Sequence, residues 1–129
     1  MVNKFDSEAF YERMYVFGLD CHNLVRLLAK TDYNIIYSNQ LIRSSASTGA
    51  NYIEALEALS KKDFIHRLKI SRKEMRESMH WLRLIKDTNN TIQEVEKEAL
   101  KLIDEAQQIK RMLTSSILTI EKGTKNRNL

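Results

Sequence analysis

The sequence predicts an all-α protein, an antiparallel up-down-up-down four-helix bundle that assembles as a homo-oligomer. Three observations carry this expectation. The 129 residues include no proline and only three glycines, so the residues that most often interrupt helices are nearly absent. Apolar residues recur at alternating spacings of three and four in four separate segments, the repeat of a helix with one buried face. The connections between these segments are short, and short connections make successive helices antiparallel neighbours. A chain that is 43% hydrophobic and 29% charged folds rather than staying disordered, and its length suits one domain over 1–129.

The first helix, about residues 7–30, shows the repeat without a break in Phe10, Met14, Phe17, Cys21, Leu24 and Leu28. The second, about 34–59, is less regular: its row is Ile35, Ile42, Ser45, Gly49, Ile53, Leu56 and Leu59. Its middle, Ser44 to Ala50, has loop-like composition. The apolar spacing runs through it, however, and small residues let a neighbouring helix approach closely, so it reads as helix.

The third helix, about 61–87, has Phe64, Leu68, Ser71, Met75, Ser78, Leu82 and Ile85 in its core row. Ser60 stands at its start as a cap, with Asp63 in the first turn where the helix dipole favours an acid. The fourth, about 91–121, runs from Ile92 through Val95, Ala99, Leu102, Ala106, Ile109 and Leu113 to Ile117 and Ile120. Thr91 and Glu94 have capping-box spacing before it. Gly123 offers a stop, leaving 123–129 as a frayed tail.

Apolar residues outside these rows suggest a subunit interface. The third helix carries Ile65, Ile70, Met79, Trp81 and Leu84 around its cylinder, and the fourth adds Ile103, Met112 and Leu118. A bundle helix that is apolar on more than one face usually has a second partner. A wider core stripe absorbs part of the set.

The lone Cys21 cannot form an internal disulfide and suits a reducing compartment. The first residues lack the apolar run of a signal peptide, and no stretch reaches the roughly 18 consecutive apolar residues of a membrane span. A cytoplasmic protein without a membrane partner is expected.

Residues 42–46 (Ile-Arg-Ser-Ser-Ala), 51–55 (Asn-Tyr-Ile-Glu-Ala), the Ser60-Lys61-Lys62-Asp63-Phe64 joint, and Glu74 through Trp81-Leu82 together resemble the 23S rRNA intervening-sequence proteins, a four-helix bundle family. The resemblance is strongest over residues 40–85, and the flanking helices agree in order and length. It implies an up-down bundle assembled as a homopentamer around a central channel. It also implies an association with insertions in large-subunit rRNA genes. A related branch serves diversity-generating retroelements as an accessory protein that binds nucleic acid and a reverse transcriptase. Ala55 stands where the family's pattern has glycine, which predicts a prolonged second helix. Arg43, Asn51 and Glu54 match the pattern, and polar residues so placed are expected to tie helices or subunits together.

Net charge is +4, and its distribution is uneven. Residues 61–87 hold nine basic and four acidic side chains, against an even balance over residues 1–30. With Phe64 and Leu68 inward, Lys69, Arg76 and Arg83 form a column at seven-residue spacing, flanked by Arg72 and Lys73. Lys61, Lys62 and Arg67 lie nearer the helix start. Cations in rows meet the phosphates of structured RNA, each contact releasing condensed counterions. The alternative is a solvated face or a contact for an acidic protein, with Glu77 pairing Lys73 and with Lys110 and Arg111 elsewhere.

No enzyme is expected. Glu77 and His80 have the Glu-x-x-His spacing of di-metal bundles, but such a site needs a second pair and two further glutamates, and the sequence has no other Glu-x-x-His. His22 and His66 lack companion ligands. There is no Gly-x-Ser-x-Gly elbow, and glycines at 18, 49 and 123 cannot build a phosphate loop. No metal or cofactor is anticipated. The expected function is non-enzymatic binding of RNA or a nucleoprotein, or a protein-interaction scaffold such as a polymerase accessory subunit.

Overall fold

The computed structural model describes residues 6–127, with side chains through residue 123. Four helices make up the described fold: α1 (Ser7–Val25), α2 (Asp32–Leu56), α3 (Lys61–Thr88) and α4 (Gln93–Arg127). Each packs on its chain neighbours, and α1 also packs on α4, so the four close into a ring around one core. Contacts between neighbours run in opposed order. Phe10 meets Tyr52, Met14 meets Gly49, and Gly18 meets Ser45 across α1 and α2.

Local chemistry sets the helix ends. Asp6 accepts from the N–H groups of Glu8 and Ala9, Thr31 from that of Asn34, and Ser60 from that of Asp63 at 3.0 Å, as expected for the third helix. Other boundaries differ from the sequence reading. α1 stops at Val25 because the N–H groups of Leu27 and Leu28 turn tightly onto the carbonyls of Leu24 and Val25. The Thr31 cap then opens α2 two residues earlier than expected. α2 ends at Leu56 despite Ala55, whose methyl is buried in the core. Glu96 N–H bonds the Ile92 carbonyl, which puts the α4 cap at Ile92 in place of Thr91. α4 also continues through Gly123, which has no positive φ and makes no stop.

The predicted rows of α1, α3 and α4 form the core. Phe10, Met14, Phe17, Cys21, Leu24 and Leu28 are buried with Leu68, Met75, Leu82 and Ile85 and with Val95 through Ile117. Ile92 alone in the α4 row lies on the surface, and Phe64 and Ile120 are half-buried. Burial pushes the Cys21 thiol up to about 12, so it packs as a small hydrophobe.

α2 corrects its predicted row. Ser45 and Gly49 are buried, but Ile35, Ile42, Ile53 and Leu56 are exposed and Leu59 is 97% exposed. The buried face is instead Asn34, Ser38, Leu41, Ser44, Ser45, Thr48, Gly49, Tyr52 and Ala55. Periodicity weighs apolarity alone, whereas the polar side chains of Asn34, Ser44, Ser45 and Thr48 are buried with hydrogen bonds.

Among the described residues, four buried bonds cross the seam between α2 and α3. The amides of Asn34 and Asn89 bond reciprocally at 2.9 and 3.1 Å, and each also donates to a loop or helix-end carbonyl, Ala29 or Ile85. Ser44 and Ser78 share a hydrogen bond of 2.8 Å, and Ser71 Oγ donates to the Thr48 carbonyl at 2.7 Å. Toward the surface, Arg43 pairs with Glu74 and Glu77, while Arg67 donates to Asn51 at 3.1 Å. No buried side-chain nitrogen or oxygen among the described residues is left unpartnered.

Two substitutions test this packing. Asn89→Ala strands the Asn34 amide in the interior and is expected to destabilise the fold by about 1–3 kcal/mol, read as a lower urea midpoint at unchanged slope. Gly49→Ala should stabilise by roughly 0.5–1 kcal/mol through helix propensity. A Cβ there would sit in ordinary contact, 3.7 Å from Met14 and Tyr11. A loss of stability in that variant would mean that α1 and α2 approach more closely than described.

Candidate functional site

The basic side chains of α3 gather against α4. On α3, Lys69, Arg72, Lys73 and Arg76 recur at spacings of three and four and so share one flank of the helix. On α4, Lys110, Thr114 and Glu121 likewise fall in one column. The opposed directions of the two helices bring these flanks into register. Lys69 Nζ lies 3.2 Å from Glu121, and Arg72 donates to the Thr114 hydroxyl at 3.3 Å. One helical turn further along, Arg76 comes level with Lys110. A groove of about 330 Å³ is lined by Lys69, Arg72, Lys73, Arg76, Lys110 and Thr114.

The charges along this groove are not balanced. Lys69 has Glu121, but among the described residues neither Lys73, Arg76 nor Lys110 forms an ion pair. Glu77, expected to pair with Lys73, is turned to α2 and the core edge. It accepts from the Trp81 indole at 3.1 Å and pairs with Arg43, and these donors, Trp81 foremost, hold its carboxyl below the usual range. Lys73 reaches it only through the longer-range field. Cations brought together without a counter-ion repel one another, and a bound anion relieves that repulsion.

Other expected site residues fall elsewhere. Arg83 is exposed beyond the groove, near Asp87. Arg43 bridges to both Glu74 and Glu77, and Asn51 and Glu54 are approached by Arg67, the latter at 4.0 Å. All three therefore join α2 to α3 within one chain. Lys110, read from sequence as lying elsewhere, belongs to the groove. Thr114 and Glu121 were not singled out at all. Their signal was the column at 110, 114 and 121, which gains meaning only when the register of α4 on α3 is known.

The apolar residues expected at a subunit interface are partly covered within the chain. Met79 and Trp81 are half-buried against the core, and Trp81 faces Tyr37 with ring centroids 6.2 Å apart. Ile70 and Leu84 are half-buried as well. Most exposed large apolar side chains lie on α1 and α2, where Tyr15, Leu19, Ile42 and Ile53 flank a groove floored by Gly18, Ala46, Gly49 and Ala50.

On the α1–α4 side, a cleft of about 630 Å³ carries Asp20, Glu94, Glu98, Asp104 and Glu105, with Lys101 pairing Glu98 and Arg13 pairing Glu105. The acidic cleft and the basic groove flank α4 on its two seams, giving the molecule an electrical polarity. Among the described residues, no group of three or more histidine, cysteine, aspartate or glutamate side chains is placed to hold a metal ion. His80 lies edge-on to Trp81 at 4.8 Å. No helix among the described residues is long and apolar enough to cross a membrane.

The sequence matches the family model for the 23S rRNA-intervening sequence protein over residues 7–115. No curated protein matches the chain. Among solved structures, the fold is similar to a protein of unknown function from the S23 ribosomal protein family of Bacteroides thetaiotaomicron VPI-5482, with a TM-score of 0.75 at 30% identity, covering 86% of this chain and 96% of that one. The match spans α1, α2 and α3 and reaches residue 115 within α4, and the chain belongs to the 23S rRNA-intervening sequence protein family.

Proposed function

We propose that this chain is a non-enzymatic, self-associating up-down-up-down bundle that binds structured RNA along the α3–α4 groove. One observation carries the reading: Lys73, Arg76 and Lys110, drawn from two helices, meet in a groove without an acidic partner among the described residues. Such a groove suits phosphodiesters, which position a backbone without reading its bases. Arg72, oriented by Thr114, adds a further donor. The acidic α1–α4 cleft repels the same polyanion and so favours one orientation of approach. The opposed contact order of neighbouring helices supports the up-down topology.

We assign self-association to the α1–α2 face, a reading supported by the apolar strip that Tyr15, Leu19, Ile42 and Ile53 expose there. A pentamer is the order that family resemblance favours. The same strip also supports a second reading, a scaffold or accessory subunit that holds a polypeptide such as a reverse transcriptase without touching RNA. A partner that stays bound after nuclease treatment would favour that second reading.

Binding to a labelled, structured rRNA fragment is expected to weaken on the order of 10²-fold between about 50 and 200 mM salt if four phosphates are met. The pair Arg72→Glu and Arg76→Glu should abolish this binding, and unchanged affinity in that variant would remove the groove from the reading. Light scattering at ~10 µM should report an assembly larger than one chain. Ile42→Glu with Ile53→Glu should reduce it to monomer, whereas an unchanged size would move the interface off this face.

A further inference from the structure

The three levels of the α3–α4 groove differ in charge. At one end, Arg76 and Lys110 are both cationic. In the middle, Arg72 meets the neutral hydroxyl of Thr114. At the far end, Lys69 is already neutralised by Glu121 at 3.2 Å. Both members of that last pair remain about half exposed, at 48% and 43%, so the bond is easily exchanged. Glu121 also lies beyond the stretch matched to the family, which ends at residue 115.

We propose that Glu121 is an internal competitor for phosphate. Its carboxylate occupies the Lys69 ammonium in the free protein, and an RNA phosphate must displace it to use the full length of the groove. The inference rests on RNA binding in this groove and deepens it by dividing the site in two. The Arg76–Lys110 end is open and meets the first phosphate. The Lys69 end is closed by a charge of the same sign as the ligand. The counterions released on binding come from the RNA, and a displaced Glu121 carboxylate stays close to Lys69 and offsets its charge, so this end adds little to the salt dependence while the carboxylate is present.

Glu121→Gln removes the competing charge and keeps the side chain's size. Titrated with the same rRNA fragment, this variant should bind about two- to fivefold tighter than the unaltered chain, the range of a weak exposed ion pair. The plot of log affinity against log salt should steepen by roughly 0.7–0.9, the increment of one phosphate contact. Lys69→Gln should cost more affinity in the Glu121→Gln background than in the unaltered chain, because only there is Lys69 free from the start. Equal affinity and slope in Glu121→Gln, with RNA still bound by the unaltered chain and lost in the Arg72/Arg76 reversal, would overturn the competitor role and leave the RNA reading standing. Absence of RNA binding by every variant at low salt would overturn both.

Discussion

The hydrogen-bonded seam between α2 and α3 is the constraint on which the rest of the bundle depends. Burying a hydroxyl or an amide is costly unless its bonds are remade inside the protein, and this seam remakes them with Asn34 on Asn89, Ser44 on Ser78 and Ser71 on the Thr48 carbonyl. Because these side chains are short, the two helices come close. Because their partners occupy particular positions, the helices meet in one alignment: a one-turn slip would unpair the reciprocal amides and both hydroxyl contacts. The alignment of α3 then determines what it offers α4, including the flank that bears Lys69, Arg72, Lys73 and Arg76.

This seam also explains where sequence reading succeeded and where it did not. Three of the four core rows were legible because their inward residues are mostly apolar and evenly spaced, as in Phe10 to Leu28 and Val95 to Ile117, with Ser71 and Ser78 interrupting the row of α3. α2 hid its inward face because serine, threonine and asparagine are ambiguous until a partner is known. Its isoleucines, the strongest apolar signal in that segment, point outward. The candidate site split in the same way. The α3 cations were visible as a charge excess on one flank, but Lys110, Thr114 and Glu121 belong to a different helix some 40 residues away, and one-dimensional spacing gives no register between helices. Arg83 illustrates the converse, since its seven-residue spacing continues the column on α3 yet it does not line the groove shared with α4.

Charge and apolarity are thereby sorted onto different seams. The α2–α3 seam is polar and satisfied, the α3–α4 seam is cationic, the α1–α4 seam is acidic, and α1 with α2 presents apolar surface. A bundle of this kind can self-associate through one face and meet a polyanion through another without the two demands competing for the same side chains. Nor does either one draw on the core, where Cys21, Met75 and Leu82 are fully covered.

The Asn34–Asn89 pair sits where two connections meet, since residues 26–31 and 89–92 lie at the same end of the bundle. Asn34 holds the Ala29 carbonyl of the first loop, and Asn89 holds the last turn of α3 that leads into the second. Neither loop can open without breaking bonds that also secure the other. Shared bonds of this kind couple the opening of one loop to that of the other, so hydrogen exchange is expected to expose both together. At the opposite end, among the described residues, residues 57–60 are held by the Ser60 cap on Asp63 and by backbone bonds. The two loops at the asparagine end therefore form one mechanical unit, tied through the reciprocal Asn34–Asn89 amides.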